Sequence, residues 1–178
     1  MFVCSVKVRN MEKVCNVFIF VILMLQPLSS IYADDVNKEA QVLVDIKNLL
    51  NGTEDCMQNW DQNGNPCKFS NIVCRSGFVY WINLSENCME LTGLLDDIAE
   101  GLADLTYLKA LYVIFKHKFL NNNALTGQIP STLTNIRSLH ILLLNNNALT
   151  GEILWTLTNI TSLEILDLSN NNLTGHSM

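Results

Sequence analysis

The side chains with chemistry to offer are few: four of the six cysteines, three histidines and the aspartate pair Asp96-Asp97. Cys56, Cys67, Cys74 and Cys88 would suit tetrahedral zinc as thiolates. No Cys-x-x-Cys spacing or neighbouring histidine accompanies them, so no metal is expected. The alternative is disulfide bonding, which an even count in an oxidising compartment favours. Three pairings are open. Cys67 and Cys74 are close enough to staple one small loop, worth about 2.5 kcal/mol on the chain-entropy model. Cys56 and Cys88 are then the remaining pair. His117, His140 and His176 have no accompanying Ser or Cys nucleophile motif. Asp96 and Asp97 are the right type for acid–base work but fall on a segment that reads as a solvated return. No Gly-rich phosphate loop is present. No enzyme activity and no cofactor are expected.

The first 33 residues read as a secretory leader. Lys7, Arg9 and Lys13 form a charged start, Val17 to Leu25 is an apolar run, and Pro27 breaks it. Ala33 precedes Asp34-Asp35 as a cleavage point. The run is too short for a membrane span, which takes roughly 20 residues. Cys4 and Cys15 depart with the leader. An extracellular location, at a cell surface or in a cell-wall space, follows as an expectation. Four N-x-[ST] sequons agree with it, at Asn51, Asn83, Asn159 and Asn172. Asn83 differs from the others because it falls on a strand face, where a glycan would block binding.

The chain carries a formal net charge of −6; loss of the leader removes three basic residues and one acidic one, leaving −8. Such a surface repels a phosphate backbone, so nucleic acid is not an expected partner. The chain is 49% hydrophobic but only 8% aromatic. Its apolar weight is aliphatic, which suits stacked short strands and argues against disorder.

The elements that position these residues come from a repeat. Leu139-x-x-Leu142-x-Leu144-x-x-Asn147-x-Leu149-x-Gly151 recurs 24 residues on as Leu163-x-x-Leu166-x-Leu168-x-x-Asn171-x-Leu173-x-Gly175, and Gly127 precedes Gly151 by the same 24. This is a leucine-rich-repeat signature. Alternation on a short strand sends Leu142, Leu144, Leu166 and Leu168 inward. Asn147 and Asn171, and Asn123 one repeat earlier, can turn in and hydrogen-bond the backbone that the turn leaves unpaired. Ile129, Leu133 and Ile136 supply the return path on the convex side. The earlier repeats are irregular: Gly93 to Gly127 is 34 residues. If Leu108 corresponds to Leu139, three extra residues lie in 94–108 and seven near 114–120. The second insertion, with Phe115 and Phe119, reads as a neutral bulge or an artefact of how the coding sequence was assembled; a binding finger is the alternative.

Ahead of the repeats, Ala40, Leu43, Ile46, Leu49 and Leu50 recur at helical spacing, with Lys38, Glu39, Asp45 and Lys47 mostly elsewhere. Trp60, Pro66-Cys67-x-Phe69 and Val73-Cys74 follow. A helix, a Trp and a cysteine-clamped hairpin would cap the first coil. These residues resemble the N-terminal cap of plant leucine-rich-repeat receptor-like proteins. The text Leu144-Asn-Asn-Asn-Ala-Leu-Thr-Gly is similar to ectodomains of somatic embryogenesis receptor kinases. The resemblance implies an α/β solenoid of about four coils, since coils must stack to bury their edges. It further implies a parallel sheet on the concave face, where a ligand or co-receptor binds. The expected layout is a leader over 1–33, a cap over 34–78 and repeats over 79–178. The chain stops at His176-Ser177-Met178 with no second cysteine cap, span or kinase domain, so a short secreted relative or a truncated gene product is expected.

Counting the repeat backwards places Trp81, Asn83 and Ser85, then His117, Phe119 and Asn121, then Ile141, Leu143 and Asn145, then Ile165, Asp167 and Ser169 on the concave face. Trp81, Phe119, Ile141, Leu143 and Ile165 would form an apolar patch with a polar edge that includes Asp167. Such patches mark interfaces, and aromatic anchors dominate their energetics. The expected partner is a protein or peptide, such as a receptor kinase ectodomain. A secreted inhibitor of a cell-wall-degrading enzyme, similar to polygalacturonase-inhibiting proteins, is the second reading. A nonfunctional receptor kinase fragment is the third.

Overall fold

The computed structural model describes residues 34–53, 56–85, 88, 91–114, 124–153 and 155–175, without the side chains of Trp155 and Thr156. The leader, Phe119 with the rest of 115–123, and His176 lie outside these residues.

Helix α1 (34–49) opens the cap. It buries Ala40, Val42, Leu43 and Ile46, and Leu50 follows it into the core, whereas Leu49 is exposed. Glu39 was expected on the solvated side and is instead buried. Its Oε2 accepts from the Val79 backbone N–H at 2.9 Å and so ties the helix to the following hairpin. Trp60 is buried against Phe69, its indole N–H donating to the Ser70 carbonyl at 2.9 Å. A short 3-10 turn, Pro66–Lys68, is capped by Asn65, whose Oδ1 accepts from the Cys67 N–H. Disulfides join Cys67 to Cys74 and Cys56 to Cys88.

Strand β1 (Ile72–Arg75) pairs antiparallel with β2 (Phe78–Asn83). From β2 onward the sheet is parallel: β4 (Ala110–Tyr112), β6 (Ile141–Leu143) and β8 (Ile165–Asp167) follow in order. The expected boundary at 78–79 therefore falls at the start of β2, which bonds the cap on one edge and the first coil on the other. A second layer pairs β3 (Thr92–Leu94) with β5 (Ala124–Thr126), and β7 (Thr150–Glu152) with β9 (Asn172–Thr174), both parallel. These ribbons come from the Leu-Thr-Gly text of each coil. Two return segments are five-residue 3-10 turns, Ser131–Asn135 and Trp155–Asn159. The first return is instead α2 (Leu95–Asp104), which burying Leu95, Ile98, Ala99 and Leu102 holds down. That helix absorbs the three extra residues in 94–108. Asp96 and Asp97 sit exposed in its first turn, where negative charge complements the helix dipole.

Polar ladders stitch the coils. Asn147 is buried: its Oδ1 accepts from Leu125 N–H at 2.9 Å, and its Nδ2 donates to the Val113 and Leu144 carbonyls at 2.7 and 2.9 Å. Asn171 repeats the pattern one coil on, with Leu149 N–H, Leu144 O and Leu168 O. Asn146 and Asn170 take left-handed backbone, which asparagine tolerates, and are joined side chain to side chain at 2.9 Å. The Ser138 hydroxyl donates to Leu108 O and the Ser162 hydroxyl to Leu139 O. Gly127 and Gly151 also have left-handed backbone, at φ +88° and +81°, which the tight turn into the return segment requires.

Candidate functional site

Strand alternation sends Ile82, Leu111 and Leu142 into the core and their neighbours to the opposite face. Register then aligns two rows across that face. The first runs Val73, Trp81, Ala110, Ile141 and Ile165; the second runs Asn83, Tyr112, Leu143 and Asp167. Val73, Trp81 and Ile165 are 49%, 40% and 50% exposed, and Ile141 and Leu143 are partly exposed. Large apolar side chains held this open to water have a desolvation gain still to make. Trp81 and Tyr112 meet edge to face at 6.3 Å between ring centroids, and the Tyr80 ring lies 6.1 Å from the indole. The Arg75 guanidinium stands 5.7 Å over the Tyr80 ring. The indole is thus held by its neighbours before any partner arrives.

The polar ends of the second row are occupied locally. Asp167 Oδ1 accepts from the Ser169 N–H at 3.0 Å and from its hydroxyl at 2.6 Å. Asn83 Oδ1 accepts from the Ser85 N–H at 3.0 Å. Both side chains therefore fix the turn that leaves the strand. Beside the face, the backbone chain Lys109 N–H to Tyr80 O, His140 N–H to Lys109 O and Glu164 N–H to His140 O lines up Lys109, His140 and Glu164 along one edge.

The middle of the expected face needs correction. The strand between β2 and β6 is Ala110–Tyr112, so Ala110 and Tyr112 hold the positions that counting back had given to His117 and Phe119. The count of 24 ran across the seven-residue insertion, which lies after this strand. Leu108-x-x-Leu111-x-Val113 itself fits the repeat text and carried the signal for the true register. Val73 was also missed; its strand is antiparallel and belongs to the cap. The sequons divide by place: Asn51, Asn159 and Asn172 are exposed, and Asn83 is partly buried in β2. Among the described residues no group of three or more His, Cys, Asp or Glu side chains is arranged to hold a metal ion, and no helix is long and apolar enough to cross a membrane.

A family model described as the leucine rich repeat N-terminal domain matches residues 36–75, and one described as Leucine Rich Repeat matches 162–178. Pollen receptor-like kinase 2 of Arabidopsis thaliana is 30% identical over 136 residues, 74% of this chain and 18% of that protein. The crystal structure of the Arabidopsis receptor kinase HAESA, solved in complex with the peptide hormone IDA and the co-receptor SERK1, superposes with a TM-score of 0.63 at 27% identity. It covers 77% of this chain and 22% of that one. The chain is a leucine-rich-repeat protein, with the N-terminal cap of plant receptor-kinase ectodomains. A Pollen Receptor Kinase 3 structure agrees, with a TM-score of 0.60 and 30% identity over 74% of this chain and 59% of that one. The chain spans about a fifth of the length of the first curated relative. Cap and repeats account for most of the described residues.

Proposed function

We propose that this chain is an extracellular recognition module that binds a protein or peptide partner through the concave sheet. The observation that carries the reading is the apolar row Val73, Trp81, Ile141 and Ile165, exposed or partly exposed on a sheet whose other face buries Ile82, Leu111 and Leu142 in the core. Trp81 and Tyr112 form its aromatic centre, and the edge with Lys109, His140 and Glu164 supplies charged contacts of both signs. Trp and Tyr at the centre of a patch are the residue types that dominate interface energies. The solved relative HAESA holds a peptide hormone and a co-receptor, which supports a peptide or a receptor kinase ectodomain as the partner here. Two disulfides, one within the cap and one tying it to the first coil, accord with an oxidising, extracellular setting.

The test is a binding panel of receptor kinase ectodomains and secreted peptides against the immobilised chain, with Leu143→Asp/Ile165→Asp alongside. Both side chains point away from the core, so the double variant should keep its thermal transition and lose at least a hundredfold in affinity for any partner found. Unchanged affinity in a folded variant would sink the assignment to this face.

A further inference from the structure

Helices α1 and α2 are separated by a groove of about 390 Å³. Gly101 sets its floor: a Cβ there would stand 3.2 Å from Ile46 Cγ1 and 3.6 Å from Val42 Cγ1, so the glycine lets the two helices close. Leu49 forms part of one wall and is 46% exposed, an apolar side chain with a desolvation gain still to make. The rim is acidic. Asp97, Glu100 and Asp104 are spaced i, i+3 and i+7, which makes one stripe along α2, and Asp45 lines the same groove from α1.

This stripe works against the helix that carries it. Like charges three and four residues apart repel, α2 contains no basic residue, and Asp104 ends it where the helix dipole is already negative. Local compensation is small among the described residues. Lys38 pairs with Asp104 at 3.3 Å, both side chains more than half exposed, Gln41 Nε2 donates to Asp45 at 2.8 Å, and Lys47 turns instead to the Trp60 carbonyl. The carboxylates also fail to converge, since no group of three or more His, Cys, Asp or Glu is arranged to hold a metal ion among the described residues. Negative charge spread along a helix beside an apolar wall matches several cationic side chains on one segment, not a single ion.

We propose that the groove between α1 and α2 docks a basic amphipathic helix of a partner protein. Lys or Arg side chains spaced i, i+3 and i+7 would meet Asp97, Glu100 and Asp104, and an apolar side chain on the same face would cover Leu49. The stripe rises about 10 Å along α2, which seven residues of a facing helix match. Anchors at this spacing are how an amphipathic helix lies in a groove. Trp81 and Ile165 point away from the core onto which α2 packs, so this surface is separate from the concave sheet.

The probe is a labelled helical peptide with arginine at i, i+3 and i+7 and leucine at i+4, titrated with the full chain and followed by fluorescence anisotropy. It should bind saturably, and more weakly as salt rises. Asp97→Asn/Glu100→Gln should weaken binding about tenfold or more, while the thermal transition holds or rises because like charges have been removed from α2. Leu49→Ser, at an exposed position, should weaken binding without unfolding the chain. Leu143→Asp/Ile165→Asp should leave the peptide's affinity unchanged, which keeps a failure here distinct from a failure of the concave face. No saturable binding, or binding that Leu49→Ser leaves intact and a leucine-free polyarginine matches, would overturn the groove. Loss of the peptide in the concave-face variant would move its site to the sheet and overturn it as well. A dimer of the chain that Asp97→Asn/Glu100→Gln dissolves would give the groove to a second copy and overturn the separate partner.

Discussion

Asn147 and Asn171 make the same hydrogen bonds one coil apart, yet they should not matter equally. Removing the Asn147 amide leaves the Leu125 N–H and the Val113 carbonyl without their side-chain partner; the Leu144 carbonyl keeps Asn171 as a donor. Both orphaned groups lie inside the stack, where Asn147 is only 8% exposed. Each buried unsatisfied group costs about 1–3 kcal/mol, so Asn147→Ala should lose about 3 kcal/mol. Asn171→Ala orphans the Leu149 N–H and the Leu168 carbonyl, but this site is partly exposed. Water can take over there, so the loss should be about 1 kcal/mol. Urea unfolding followed by circular dichroism measures both, provided the slope with denaturant stays constant. Equal losses, or less than about 1 kcal/mol for Asn147→Ala, would refute the argument that burial of the ladder sets its weight.

Three further outcomes follow from the same geometry. Reducing Cys56–Cys88 opens a far longer loop than Cys67–Cys74 (separations of 32 and 7 residues), so Cys→Ser pairs should cost about 3.7 and about 2.5 kcal/mol respectively in the same unfolding assay. Glu39→Ala should destabilise by about 1–3 kcal/mol, because the Val79 N–H loses its carboxylate acceptor; amide exchange at Val79 should quicken with it. Gly151→Ala should cost about 1–2 kcal/mol, since an L residue resists φ +81°. The atoms nearest the new Cβ belong to the Gln128 side chain, at 2.9 Å, which can shift, so thermal unfolding should move without loss of the fold.

The last two coils were legible because their Leu, Asn and Gly positions recur without insertion. Leu142, Leu144 and Leu149 are buried, Leu166, Leu168 and Leu173 pack half-buried against the core, and the asparagines at 147 and 171 and the turn glycines at 127, 151 and 175 are where that text puts them. The cap helix was legible from its apolar spacing, but Leu49 turned outward and Glu39 inward. Spacing locates a stripe to within a residue or so, and one backbone N–H in the adjoining strand, that of Val79, was enough to draw a carboxylate into the core. The first coil hid more. Repeat spacing, with Leu108 matched to Leu139, showed three extra residues in 94–108, not that they would lengthen a 3-10 turn into α2. Counting back from Asn147 passed through an insertion, which shifted the middle strand onto Phe119 when Leu108-x-x-Leu111-x-Val113 marked it at Ala110–Tyr112. Trp81, Ile141, Leu143, Ile165 and Asp167 share one face because their strands carried no insertion. Tyr112 and Val73 joined them through register and an antiparallel hairpin, neither of which a repeat count contains.

Carbene footprinting of the chain, free and bound to the ectodomain or peptide it captures from the panel, tests the central claim most directly. The account predicts that labelling falls at Val73, Trp81, Tyr112, Ile141, Leu143 and Ile165 on binding, and holds constant along the convex turns at 131–135 and 157–161. Protection of those turns with an unchanged label on Trp81 and Ile165 would contradict it.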